Sequence, residues 1–267
     1  MVKSQSRFKR RTRSSEMSLI EHLAELRRRL IVILATVLLA SIIAYLLYNR
    51  ILDFFLTPYC TIVGSNHCSL YVTGPLDGFA LRLKISIFGG IALALPVILW
   101  ELWRFITPGL RRNEKRYAIP FVTASLVLFA FGAYVAYLTF PHALRFLSGA
   151  AGPHLTQIYS PSSYLNLIIL LMVAFGVAFE FPVLLVSLEL AGVVSPKRLS
   201  DFRRWAIVII FAADAVFIPS SDPFSLFAMA LPMVAFYEIA ILIGRLIVRS
   251  KNKNQAAVSA NEAAQAT

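Results

Sequence analysis

The stretch LALPVILWELWRFITPGLRRNEKRYAIPFVTASLVLFAFGAYVAYLTF, residues 93–140, decides the fold. Two strongly apolar runs flank a short segment dense in bases. Residues 104–117 hold five basic side chains, one proline–glycine pair and a single carboxylate, Glu114. Pro108 and Gly109 break the first run and let a second helix begin. Such a pattern joins two membrane spans on the side of the bilayer that collects positive charge. Why one acid stands among these bases has two readings: it neutralises local charge, or it receives a cation from elsewhere.

The rest of the chain repeats the pattern. Its 267 residues are 58% hydrophobic and 15% charged, with a mean hydropathy of +0.71. A soluble domain carries about 25% charged residues and no recurrent apolar runs, so this is an all-α integral membrane protein. Six spans are expected, near Leu30–Tyr48, Ile85–Trp103, Ala118–Phe140, Tyr164–Leu190, Trp205–Ile218 and Phe224–Ile243. At about 1.5 Å per residue the fifth covers about 21 Å, short of the roughly 30 Å hydrocarbon core, and the sixth barely suffices. Short spans thin the bilayer locally or line a hollow in the protein.

Lysine and arginine set the expected orientation. Nine precede the first span, five follow the second, and Lys197, Arg198, Arg203 and Arg204 follow the fourth. Arg245, Arg249, Lys251 and Lys253 follow the sixth, while the alternate loops are nearly free of bases. Both termini are therefore expected in the cytoplasm. The net charge of +12 lies between the spans, an arrangement of membrane topology and not of a nucleic-acid groove. The first apolar run is 19 residues long and lacks a small-x-small cleavage site, so it reads as a span and not as a signal peptide. The expected organisation is a basic disordered tail at 1–17, an amphipathic cytoplasmic helix at 18–29, a six-span domain at 30–245 and a disordered tail at 246–267.

Evident hydrolytic chemistry is missing. The sequence contains no G-x-x-x-x-G-K-[ST], G-x-S-x-G or H-E-x-x-H, and its four histidines are scattered, so neither an enzyme nor a metal or other cofactor is expected. Gly74 and Gly78 form a G-x-x-x-G outside the spans, interrupted by Pro75. Cys60 and Cys68 flank a Gly-Ser-Asn turn in the first exported loop. A disulfide closing that loop in an oxidising compartment is one reading, two free thiols the other.

Several carboxylates are candidates for recognition. In SLIEHLAELRRRL, Ser18 and Glu21 have capping-box spacing, and Leu19, Leu23, Leu26 and Leu30 form one stripe. Glu25 either pairs with Arg28 or Arg29, three and four residues on, or receives an incoming guanidinium, which binds carboxylate through two parallel hydrogen bonds. Glu114 carries the same pair of readings. Glu180 lies deep in the fourth span, where a charge costs roughly 3 kcal/mol, so it faces protein or water, pairs, or holds a proton. Pro182 behind it frees the carbonyl of Ala178. Asp222 reads as a helix cap for the last span. Glu101 and Glu238 read as interfacial side chains, and Asp214 interrupts the short fifth span.

The blocks EHLAELRRRL, LALPVILWELWRFITPGLRRNEKRY, FGVAFEFPVLL and SSDPFSLFAMALPMVAFYE, in this order and spacing, resemble the TatC family, the core subunit of the twin-arginine protein translocase. The resemblance covers residues 16–245, and its two-cysteine loop is similar to that of actinobacterial members. It implies a multi-pass protein of the cytoplasmic membrane with a cupped concave face. The implied function is to receive folded cargo bearing twin-arginine signal peptides, with transport driven by the proton-motive force. Glu25, Arg27, Phe105 and Glu114 match the family's signal-peptide-binding motifs. Pro58, Glu180 and Asp222 match its exported-loop proline, mid-membrane acid and last-turn acid, the mid-membrane region being associated with TatA- and TatB-type single-span partners. Homo- and hetero-oligomers and contact with anionic lipids are implied, and no nucleic acid. Leu226 stands where members commonly carry glutamine, which puts partner contacts there in question. Two other classes fit the composition: a proton- or ion-coupled transporter relaying through Glu180, Asp214 and Glu101, and an insertase without peptide specificity.

Overall fold

The structure, a computed structural model, describes residues 19–63, 70–72, 74–106, 118–150, 152, 159–190 and 192–265. Among these residues there are eight helices and no strand. They are α1 (Leu19–Leu46), α2 (Tyr48–Val63), α3 (Asp77–Ile106), α4 (Ala118–Ala150), α5 (Pro161–Ala178), α6 (Phe181–Leu190), α7 (Pro196–Phe217) and α8 (Pro223–Gln265).

Among the described residues, five stretches are long and apolar enough to cross a membrane: Leu23–Leu46, Asp77–Phe105, Ile119–Ala150, Pro161–Leu190 and Pro223–Arg249. The expected fifth of six spans is not among them. Its residues do form a helix, α7, but the first turns carry Lys197, Arg198, Asp201, Arg203 and Arg204. These charges leave too short an apolar length.

Other expectations shift as well. The helix expected at 18–29 is continuous with the first span, because nothing from Leu19 to Leu46 breaks α1. The tail expected to be disordered from 246 continues α8 to Gln265. Its Ala-rich composition, with no proline or glycine beyond Gly244, carries helix propensity. The fourth span is broken between α5 and α6 at Phe179–Glu180, where Pro182 cannot donate to Ala178.

The helix α2 falls where the sequence reading places only a loop. Tyr48, Ile51, Leu52, Phe55, Tyr59 and Ile62 recur at helical spacing and pack on the core, while Asn49, Asp53, Thr57 and Thr61 are exposed. Pro58 sits inside this helix. Its missing N–H frees the carbonyl of Phe54, which accepts a hydrogen bond from Tyr137 Oη of α4 at 3.0 Å. Tyr164 Oη of α5 donates to the Phe55 carbonyl at 2.7 Å. Two tyrosines thus fasten α2 across α4 and α5.

The long helices pack at small residues. α1 runs antiparallel to α3: Arg29 meets Glu101, Ser41 meets Gly90, and Ala44 meets Gly89. A Cβ on Gly90 would lie 2.6 Å from the Ser41 main chain, so only glycine allows this approach. α4 runs antiparallel to α5, with Phe131 against Phe179 and Phe140 against Tyr164. There a Cβ on Gly132 would lie 2.6 Å from the Phe175 carbonyl oxygen. α8 packs on α4, α6 and α7.

Candidate functional site

At the end of the bundle where α1 begins and α3 ends, three charged side chains of the candidate region meet. Glu25 and Arg29 are four residues apart on α1 and share a face. Arg29 Nη2 donates to Glu25 Oε1. Its Nη1 donates to the Glu101 main-chain carbonyl at 3.0 Å and stands 3.7 Å from Glu101 Oε2. Arg29 is only 8% exposed, whereas Arg27 and Arg28 are exposed. A guanidinium so far out of water needs countercharge, and the two carboxylates supply it. Glu25 Oε2 is buried without a hydrogen-bond partner, so half of that carboxylate is uncommitted.

Of the two pairings open to Glu25, the structure therefore selects Arg29. Glu101 is no interfacial bystander but part of this cluster. Spacing on α1 already offers Arg29; Glu101 comes from a helix 72 positions away, and no local pattern signals it. Phe105 follows Glu101 by one turn on α3 and is half-buried, which puts it on the same face. Arg27 is exposed on α1, outside the cluster. Glu114 lies outside the described residues.

Glu180 occupies the break between α5 and α6. Its carboxyl lies beside the Ser125 hydroxyl of α4. Ser125, fully buried, also accepts from Trp103 Nε1 of α3 at 2.9 Å. Trp103 stacks on Phe121 with ring centroids 5.0 Å apart and packs with Leu99, Val122 and Val183. A tryptophan, a serine and an acid thus form a polar line through an apolar cluster. Glu180 Oε1 is buried and has no hydrogen-bond partner. Sequence reading found Glu180 and the effect of Pro182 but not Ser125 or Trp103, which reach it only through packing.

The remaining candidates divide. Asp222 is 1% exposed and caps α8: Oδ1 accepts from the Ser225 N–H at 2.8 Å and Oδ2 from the Ser220 hydroxyl. Ser221, with φ of 48°, turns the chain into this cap. Both oxygens are engaged, the arrangement of a helix cap. Glu238, expected to be interfacial, pairs with Arg203 of α7 through contacts of 2.6 and 2.9 Å. Asp214 is buried on α7 with Oδ2 unpartnered. Glu101, Glu180 and Asp214, the acids of a relay reading, are joined by no hydrogen bond among the described residues. Leu226 packs against the core. Pro58 is buried in α2, and Cys60 is disulfide-bonded; Cys68 lies outside the described residues. No group of three metal-ligating side chains occurs among the described residues.

A groove of about 780 Å³ opens between α2, α3, α4 and α5. Apart from Arg50, Tyr134 and Tyr137, its described lining is apolar, with Phe54, Phe88, Phe129 and Met172 among the larger side chains.

The model of the family described as Sec-independent protein translocase protein (TatC) matches residues 21–232. A TatC protein of Frankia casuarinae is 42% identical over 89% of this chain and 69% of its own length. One from Aquifex aeolicus is 38% identical over 90% of this chain and 100% of its own. Two solved structures share the fold. One, described as the twin arginine translocase receptor TatC, has a TM-score of 0.66 and 38% identity, covering 85% of this chain and 99% of that one. The other, the same receptor in DDM, has a TM-score of 0.69 and 37% identity, covering 84% and 99%. With a model match across most of its length, and apolar helices that make it a multi-pass membrane protein, the chain belongs to the TatC family of protein-translocase components, which are not enzymes.

Proposed function

We propose that this chain is the signal-peptide receptor and core scaffold of a twin-arginine translocase in the cytoplasmic membrane, with six spans and both termini cytoplasmic. Glu25 and Glu114 accept the two guanidiniums of a signal peptide, Phe105 packs beside them, and Arg27 contributes from the exposed side of α1. The apolar part of the signal lies along the groove between α2, α3, α4 and α5. Glu180 offers a polar contact to a TatA- or TatB-type single-span helix, where short spans five and six thin the bilayer. The basic cytoplasmic surface associates with anionic lipids, and a Cys60–Cys68 bond closes the exported loop. Folded cargo then crosses at the expense of the proton-motive force, within a homo- and hetero-oligomeric assembly. Asp222, which matches the family's last-turn acid, acts by shaping the start of α8.

The observation that carries this reading is the state of Glu25. Arg29 orients one carboxylate oxygen and leaves the other buried and unpartnered, beside the α3 end from which the Glu114 segment departs. A carboxylate held this way is ready for a second guanidinium. The test is photocrosslinking from positions 25 and 114 to a signal peptide carrying two consecutive arginines, in membranes containing the full chain. Crosslinks that vanish when both arginines become lysine support the reading. Equal crosslinking of the lysine peptide overturns it.

A further inference from the structure

We infer that Glu101 sets the charge of the Glu25 site through Arg29, making it a positioning residue for recognition of an incoming guanidinium. This inference rests on the receptor reading above. The buried cluster holds two carboxylates and one guanidinium, a formal charge of −1. Were Arg29 to face Glu25 alone, the pair would be neutral, and its attraction for a further cation would be that of a dipole. Glu101 shares the guanidinium: its carboxylate stands 3.7 Å from Arg29 Nη1, and its main-chain carbonyl accepts from that same nitrogen at 3.0 Å. Glu25 Oε2 is therefore an uncommitted acceptor within a net-negative cluster. With Arg29 8% exposed, the surrounding low dielectric lets a one-charge change register strongly.

The geometry separates charge from scaffolding. In Glu101→Gln the main-chain carbonyl that holds Arg29 remains, and side-chain volume is kept, while the cluster becomes neutral. In Arg29→Lys the charge is kept, but the fork that reaches Glu25 and Glu101 together is lost.

The experiment measures equilibrium binding of two fluorescent signal peptides to the full chain in lipid nanodiscs. One peptide carries consecutive arginines; in the other, both are citrulline, a neutral isostere. The wild-type chain is expected to prefer arginine, and Glu101→Gln to lower that preference roughly tenfold, the consequence of removing one buried charge. Glu101→Asp restores most of the preference. Arg29→Lys weakens binding of both peptides by displacing Glu25 but leaves their ratio nearly intact. If Glu101→Gln weakens both peptides equally, Glu101 is merely structural and the inference is overturned, as it is if that variant leaves the ratio unchanged. If Glu101→Gln does not fold, Glu101→Asp and Arg29→Lys decide: a ratio that collapses in both alike overturns the inference. A wild-type chain that does not distinguish arginine from citrulline overturns the receptor reading itself, and the inference with it.

Discussion

Glu25 and Glu180 are both carboxylates with one buried, unpartnered oxygen, yet their surroundings differ in kind. Glu25 is held by a guanidinium that a second carboxylate shares. Glu180 lies beside a serine hydroxyl that accepts from an indole N–H. Charge meets charge at the first, and only neutral donors meet the second. An ionic cluster with a spare lone pair suits a cation, since guanidinium and carboxylate combine with little reorganisation. A carboxyl fixed by neutral dipoles inside an apolar cluster suits a neutral hydrogen-bond donor on another helix, because an added ion there would have to be desolvated without a full countercharge.

The sharpest way to break that contrast is charge reversal at the ionic end. Glu25→Lys places an ammonium beside Arg29 and removes the oriented acceptor. Affinity for an arginine-pair peptide is expected to fall about 100-fold, the equivalent of about 3 kcal/mol for truncating a buried charge pair. Glu180→Gln, by contrast, leaves peptide affinity within about twofold while weakening crosslinks to a partner helix. Equal losses of peptide binding in the two variants would merge the sites into one and end the contrast, whereas a transporter would be disabled by Glu180→Gln alone.

Next in size are two glycine substitutions that act on backbone separation. Gly90→Val forces α1 from α3 at Ser41, and Gly132→Val forces α4 from α5 at Phe175. Each is expected to cost about 1–3 kcal/mol as overpacking, read as a lowered unfolding temperature in detergent. Only Gly90→Val should also weaken peptide binding, because α1 and α3 hold the two halves of the Arg29 cluster. Peptide binding lost equally in Gly132→Val would mean that the cluster depends on the whole bundle.

How far the sequence discloses these features depends on the range of the interactions. The apolar runs and basic loops were legible because burial in lipid is read residue by residue. Pro182 announced the break at Glu180 for the same local reason. Glu25–Arg29 was visible as one turn of helix, but Glu101 and Ser125 join their acids only when distant helices pack. The amphipathic α2 escaped notice because its proline imitates a loop, although the six apolar positions from Tyr48 to Ile62 carry the helical period. α7 presents the opposite case: its apolar half, Trp205–Phe217, is shorter than the other spans because its first turns are charged.

Ser125→Ala sharpens the neutral end. It removes Trp103's acceptor and leaves that buried indole N–H unsatisfied, at a cost of about 1.5 kcal/mol. Peptide affinity should not change. Trp103→Phe in the same background should recover part of the stability, since it deletes the stranded N–H; a double variant less stable than Ser125→Ala would show that indole packing, not the hydrogen bond, dominates.

The smallest expected effect supplies the scale for the others. Arg203–Glu238 has shorter contacts than Arg29–Glu101, yet its side chains are 43% and 38% exposed against 10% and 13%. Water competes for an exposed pair and screens it, so close geometry there stabilises little. Glu238→Gln is therefore expected to lower stability by less than about 1 kcal/mol and to leave peptide binding unaltered. An unfolding temperature that drops as far as in Gly90→Val would mean that the α7–α8 pair is shielded from water in the assembled protein. Burial, and not ion-pair distance, would then still rank the acids, but with Glu238 moved to the protected side.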